Sequence, residues 1–181
     1  MPTKIDPTDP SAPFDEFIAW NEDEELWSGK KSQAWHDSPE GGTPTFGYGH
    51  KMNVLEKDTR QVYGYDLGKA TEADARAVLK RDLGVYEAQA KNFIGPKWDS
   101  LPKRSKEMLM DMHYNVGLER FPSFVKGVLK GDLDLQRKEY KRYYKNPKTG
   151  RNEEVKKRND SFYKRYLSSD ALKKWGALTG K

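Results

Sequence analysis

Residues 33–52 constrain this chain more than any other stretch. They hold four glycines (Gly41, Gly42, Gly47, Gly49), two prolines (Pro39, Pro44) and the aromatics Trp35, Phe46 and Tyr48. Glycine supplies turn conformations, proline interrupts helices, and aromatic and β-branched residues suit a pleated surface. The segment therefore predicts a small twisted hairpin or three-stranded sheet. Everything around it has helical spacing. Phe14, Phe17 and Ile18 recur at i, i+3, i+4, with the acids Glu22, Asp23, Glu24 and Glu25 on the last turn. Acids there oppose the helix macrodipole, which points to a use other than stability. Thr71 and Asp74 open a helix through Ala73, Ala77, Val78, Leu79 and Leu83, long enough to join two lobes. Residues 105–116 read as an apolar helix closed by Gly117, followed by shorter helices over 121–129, 133–144, 153–167 and 171–177. Residues 145–152 are polar, contain Pro147 and Gly150, and read as a loop. The expected class is α+β: an amino-terminal lobe (14–70) with the hairpin, and a larger all-helical lobe (71–181), joined by a long helix into one domain. Pro2, Pro7, Pro10 and Pro13 predict a flexible leader over 1–13.

Charge is unevenly placed. The 181 residues carry a formal net charge of +5, but residues 1–100 hold 12 Lys/Arg against 18 Asp/Glu, and residues 101–181 hold 21 against 10. A basic half of this kind suits a polyanion: nucleic acid, a membrane surface or an anionic wall polymer. No uncharged apolar run approaches the roughly 18–20 residues of a membrane span. With no cysteine, a disulfide scaffold, a zinc ribbon and a thiol nucleophile are excluded, and synthesis in a reducing compartment is expected. Residues 1–13 hold one Lys, four Pro and no apolar core, so no standard secretory signal is expected.

The chemistry-bearing residues gather in the first third: acids at a helix end, Asp37 entering the hairpin, Thr45 on the next strand, then Gly47-Tyr48-Gly49-His50. Two carboxyls and a hydroxyl suit hydrolysis of a glycosidic bond. One protonated carboxyl serves the leaving oxygen, and one ionised carboxylate activates water or traps the sugar cation.

An acidic helix end, Trp35-His36-Asp37, a glycine turn and Thr45-Phe46-Gly47-Tyr48-Gly49-His50 together resemble the phage-type lysozymes of glycoside hydrolase family 24, the T-even endolysin type. Downstream, Met110-Asp111-Met112-His113-Tyr114-Asn115-Val116-Gly117 is similar to that family's buried helix. Phe121 and Phe124 stand where it places aromatics, and Lys156-Lys157-Arg158-Asn159 where it carries a basic motif. The resemblance, over roughly residues 14 to 167, implies a lysozyme-like fold and a muramidase that hydrolyses the β-1,4 bond between N-acetylmuramic acid and N-acetylglucosamine.

The resemblance also implies roles. Asp37 would activate the attacking water and Thr45 would position it, with inversion at the anomeric carbon. Glu22, Glu24 and Glu25 are all candidates for the general acid. Glu22 has apolar residues both one and two turns back (Ile18, Phe14), whereas Glu24 has Trp20 and Glu16, and Glu25 has Asn21 and Phe17. Glu22 is preferred, with Glu24 as runner-up. The turn at 39–44 is longer than the family's usual one, which leaves Glu40 as runner-up for the second carboxylate. Tyr48, Asn115 and Phe124 are expected to meet the sugar, Asn115 through an N-acetyl group. Gly47, Gly49, His50, Asp82 and Arg158 are expected to support the site, His50 by pairing with Asp82, and Arg158 or its neighbour Lys157 by pairing with the catalytic Glu. His36 and His113 have no partner at ligand spacing, so no metal or cofactor is expected. The implied partner is bacterial peptidoglycan, met by a monomer that waits in the host cytoplasm until the membrane opens during phage lysis.

Other classes compete. Residues 137–165 hold 12 Lys/Arg among Tyr140, Tyr143, Tyr144, Phe162 and Tyr163, a mixture that single-strand nucleic-acid binders use. Tyr140, Tyr143 and Tyr144 also fall at i, i+3, i+4, which predicts a packed helix face instead. A lytic transglycosylase or a virion protein of the same fold is the nearer alternative, and Asp37 with Thr45 argues against both.

Overall fold

The computed structural model describes residues 5–37 and 43–179. It is α+β, mostly helical with small antiparallel strand pairs, and it divides into two compact units. One spans Phe14–Val85, and the other combines residues 5–13 with residues 86–179. The division falls inside the long helix, not at the 70/71 boundary expected from sequence. Among the described residues no helix is long and apolar enough to cross a membrane.

In the amino-terminal unit, α1 (Phe14–Glu22) buries Phe17, Ile18 and Ala19. Asp23 breaks it with an extended backbone, φ −149° and ψ 90°, and caps α2 (Glu24–Ser28) by accepting the Leu26 N–H at 2.9 Å. Gly29, at φ 77°, closes α2 and donates to the Leu26 carbonyl at 3.2 Å. A capping acid and a left-handed glycine satisfy the ends of even a one-turn helix.

Three short strands follow: β1 (Trp35–His36), β2 (Thr45–Phe46) and β3 (His50–Lys51), antiparallel in that order. Their register pairs Trp35 with Phe46 and Phe46 with His50, and pairs His36 with Thr45 and Thr45 with Lys51. The two-residue period thus separates a core face, with Phe46 fully buried, from a face that carries Thr45. Phe46, Met52, Val62, Leu67 and Val78 form the local core.

After α3 (Val54–Thr59) a second hairpin appears, β4 (Gln61–Val62) and β5 (Tyr65–Asp66), where the sequence reading expected only helix. Its two-residue turn has positive φ at both positions, Tyr63 at 48° and Gly64 at 87°. Such turns are read from Asn-Gly or Asp-Gly, and the tyrosine hid this one. α4 (Glu72–Ile94) then runs 23 residues from this unit into the other.

The carboxy-terminal unit holds α5 (Lys103–Asn115), α6 (Pro122–Lys130), α7 (Leu133–Glu139), α8 (Lys156–Phe162), a π-helical turn (Tyr163–Leu167) and α9 (Ser169–Thr179). It is not all helical. β6 (Tyr143–Lys145) and β7 (Asn152–Glu154) form an antiparallel hairpin around the expected loop at 145–152, taking in the expected end of one helix and the start of the next. The cause is tertiary. Arg142 is drawn into the interior, where its N–H donates to Asn159 Oδ1 and its carbonyl accepts from Asn159 Nδ2, each at 3.0 Å, so Asn159 stands in for a strand partner. These bonds outweigh the small helix propensity of the segment.

Residues 5–13 are docked, contrary to the flexible leader expected. Pro7, Thr8, Pro10 and Ala12 are buried. The fully buried Arg165 donates to the carbonyls of Pro7 (3.0 Å), Asp9 (2.6 Å) and Ala12 (2.9 Å). Proline removes an N–H donor but keeps its carbonyl, and a guanidinium supplies what the backbone cannot.

Candidate active site

The break at Asp23 sorts the acidic run. Glu22 is the last residue of α1 and is half-buried, while Glu24 and Glu25 are exposed in the first turn of α2. Carboxylates stabilise a helix N-terminus and oppose a C-terminus. Of the three candidate acids, Glu22 alone sits where it works against the helix. Asp23 has a structural use. Burial alone would raise its carboxyl, but Lys31 Nζ at 2.8 Å and the Leu26 amide outweigh that and hold it below the usual range.

Asp37 is exposed and directly follows β1. Thr45, on β2, shares a face with His36 and Lys51 by register. Glu22, Asp37 and Thr45 thus all belong to the amino-terminal unit. Glu40, the runner-up for the second carboxylate, lies outside the described residues.

Tyr48 corrects one expectation. It is 1% exposed, and its hydroxyl donates to Glu72 Oε1 at 2.5 Å, so it belongs to the core and not to a sugar subsite. Burial, and after it Glu72, pushes its hydroxyl well above the usual tyrosine range. Around it runs a network that the sequence reading missed. Arg76 stacks 5.6 Å from the Tyr48 ring and donates to Glu72 and Glu16, and Glu16 accepts Trp27 Nε1 at 2.7 Å. The i, i+4 spacing of Glu72 and Arg76 was the one local signal for it. The network ties α1, α2, the hairpin turn and α4 together.

Gly47 and Gly49 take positive φ, 55° and 96°. At Gly47 a side chain would also meet Ala75, with 2.8 Å between the two Cβ positions, so both torsion and close approach demand glycine. His50 lies 2.8 Å from Asp82, and its other ring nitrogen lies 3.2 Å from Glu56. Burial alone would lower the imidazole, but the two carboxylates prevail and raise it. Asp82 also accepts the Tyr63 hydroxyl at 2.8 Å, which burial and Asp82 push up to about 12.

The remaining candidates belong to the carboxy-terminal unit. Phe124 is fully buried and packs edge-on against Phe162 at 5.8 Å, so it too is core and not a sugar contact. Asn115 ends α5 half-buried, with its Oδ1 enclosed and accepting no hydrogen bond. Arg158 is 4% exposed and donates to Asp111 Oδ1 at 2.7 Å, while Arg142 takes Oδ2 at 2.5 Å. Asp111 is completely buried, and these two cations overcome its burial and hold it below the usual carboxylate range. One turn earlier, Glu107 meets Arg165 at 3.0 Å and the Tyr166 hydroxyl at 3.1 Å. Burial pushes Glu107 up, and Arg165 and the Tyr166 hydroxyl only partly offset it. Arg142, Arg158 and Arg165 are therefore interior cations and not part of a polyanion-facing surface.

The family model described as phage lysozyme matches residues 25–161 of this chain. The match takes in Asp37, Thr45, the Gly47–His50 turn and the Asp111 cluster, and starts just after Glu22 and Glu24. No curated protein and no solved structure matches the chain.

Proposed function

The chain belongs to the phage lysozyme family of glycosidase-type, peptidoglycan-hydrolysing enzymes, and from that premise we propose that it is a muramidase of glycoside hydrolase family 24 type. In this reading Glu22 protonates the leaving oxygen of the β-1,4 bond between N-acetylmuramic acid and N-acetylglucosamine. Asp37 takes a proton from the attacking water, Thr45 holds that water, and the anomeric centre inverts. The observation that carries the assignment is the break at Asp23, which leaves Glu22 alone of the three acids at a helix C-terminus. The matched hairpin with Asp37 and Thr45 supports it. No cofactor takes part. The biological setting that fits is host lysis, with the monomer held in the host cytoplasm until the inner membrane opens.

Digestion of purified peptidoglycan by wild type, Glu22→Gln, Glu24→Gln and Asp37→Asn, with muropeptides identified by mass, tests the reading. Wild type and Glu24→Gln should release reducing-end N-acetylmuramic acid, and the other two should not. Anhydro-muramic products would convert the assignment to a lytic transglycosylase. Full activity in Glu22→Gln together with loss in Glu24→Gln would move the acid to Glu24.

A further inference from the structure

The hairpin of β6 and β7 has no core of its own. All three β6 residues are exposed, Tyr143 at 56% and Tyr144 at 48%. A two-stranded hairpin is marginal in water by itself. This one is held at its base by Asn159 on Arg142, and at its turn by Asn146, which donates to Glu153 at 2.8 Å. Packing does not account for its two surface tyrosines, and the helix face expected of Tyr140, Tyr143 and Tyr144 does not exist.

The register sets Tyr143 opposite Glu154 and Tyr144 opposite Glu153, whose Oε2 accepts the Tyr144 hydroxyl at 2.8 Å. Glu154 also holds Lys141 at 3.5 Å. Lys145 shares the face of Tyr143, and Lys148 and Arg151 stand exposed on the connecting turn. An aromatic ring beside a carboxylate suits a sugar: the ring covers the apolar face of a pyranose, and the carboxylate accepts hydroxyl or amide protons. The three cations suit the free carboxylates of wall peptides. A nucleic-acid strand would use the rings and cations, but its phosphates would meet Glu153 and Glu154. From this juxtaposition we infer that the β6–β7 hairpin is a binding surface for a peptidoglycan strand bearing acidic stem peptides, separate from the residues assigned to the chemistry. The inference rests on the wall-degrading function proposed above.

The test is co-sedimentation of the full chain with insoluble purified peptidoglycan, run beside release of reducing ends by the same samples. Tyr143→Ser combined with Lys145→Gln, Lys148→Gln and Arg151→Gln should lower the pelleted fraction roughly tenfold. Tyr143→Trp, which keeps a stacking face, should pellet like wild type, and added salt should release wild type more than the fourfold variant. If the fourfold variant melts early, Tyr143→Ser alone carries the comparison. Pelleting of the serine variants equal to wild type overturns the inference, whether or not the protein cleaves wall. Pelleting lost in these variants while wild type releases neither reducing ends nor anhydro-muropeptides supports the surface and sinks the enzymatic reading instead. Capture of a single-stranded oligonucleotide in preference to wall, abolished by the same changes, overturns the glycan assignment in favour of nucleic acid.

Discussion

The two units use the same residue types in opposite ways. On α5, Glu107 and Asp111 stand at i, i+4, almost fully buried, and their oxygens are taken up by Arg165, Arg142 and Arg158. In the amino-terminal unit, Glu22 ends a helix half-buried and Asp37 stands exposed after a two-residue strand. A buried carboxylate with paired cations is committed to the fold, since removing either side leaves an uncompensated charge. Glu22 and Asp37 stand instead at the ends of short elements, less buried than the acids of α5. The contrast sorts these acids by burial, where sequence shows only Asp and Glu.

The difference between the units can be measured. The largest expected effect is on activity: Glu22→Gln and Asp37→Asn should each lower reducing-end release by about 10²–10⁴-fold. Asp37→Asn, at an exposed position, should leave unfolding stability within about 0.5 kcal/mol. Asp111→Asn should do the reverse in kind, with a stability loss of about 3–5 kcal/mol in denaturant titrations, because two buried guanidinium groups lose their counter-charge. A stable Asp111→Asn protein would end the distinction drawn here.

His50 tests whether the amino-terminal unit keeps a structural ion cluster of its own. His50→Gln should cost about 1.5–3 kcal/mol at pH 6. The folded pKa of His50 lies above its unfolded value near 6.5, so this stabilisation is complete below about pH 6.5 and is lost as pH rises through the folded value. Chemical denaturation of wild type and His50→Gln across pH 5.5 to 9 should therefore show the two curves converging at high pH, and a constant gap would contradict it. The smallest effect is expected at the surface. Lys174, more than half exposed, pairs with Asp9, and Lys174→Ala should leave the thermal midpoint where it is while Arg165→Met lowers it.

Much of the amino-terminal hairpin was legible because turn chemistry is local. Gly47 and Gly49 need positive φ, Pro39 and Pro44 exclude helix, and the Trp35, Phe46 and His50 face follows from a period of two. The His50–Asp82 pair was also anticipated, since histidine beside a helix acid is a short list. The sugar contacts assigned to Tyr48 and Phe124 failed for one reason: an aromatic beside a motif looks the same whether it faces solvent or the core. Tyr63-Gly64 failed because its turn uses an uncommon first residue.

By itself the sequence determined the α+β class, the place of the three-stranded sheet and the family, because glycine, proline and apolar spacing act within a few residues of themselves. Only the tertiary structure decided which charges are interior. Arg142, Arg158 and Arg165 come from 31, 47 and 58 residues away to meet Asp111 and Glu107, and no local pattern records such a meeting. Arg142, held by Asn159 and Asp111, stands where the expected helix gives way to the exposed hairpin, and Arg165 fastens residues 5–13. Desolvation energies depend on what surrounds a group in space, and the order of residues along the chain leaves that open.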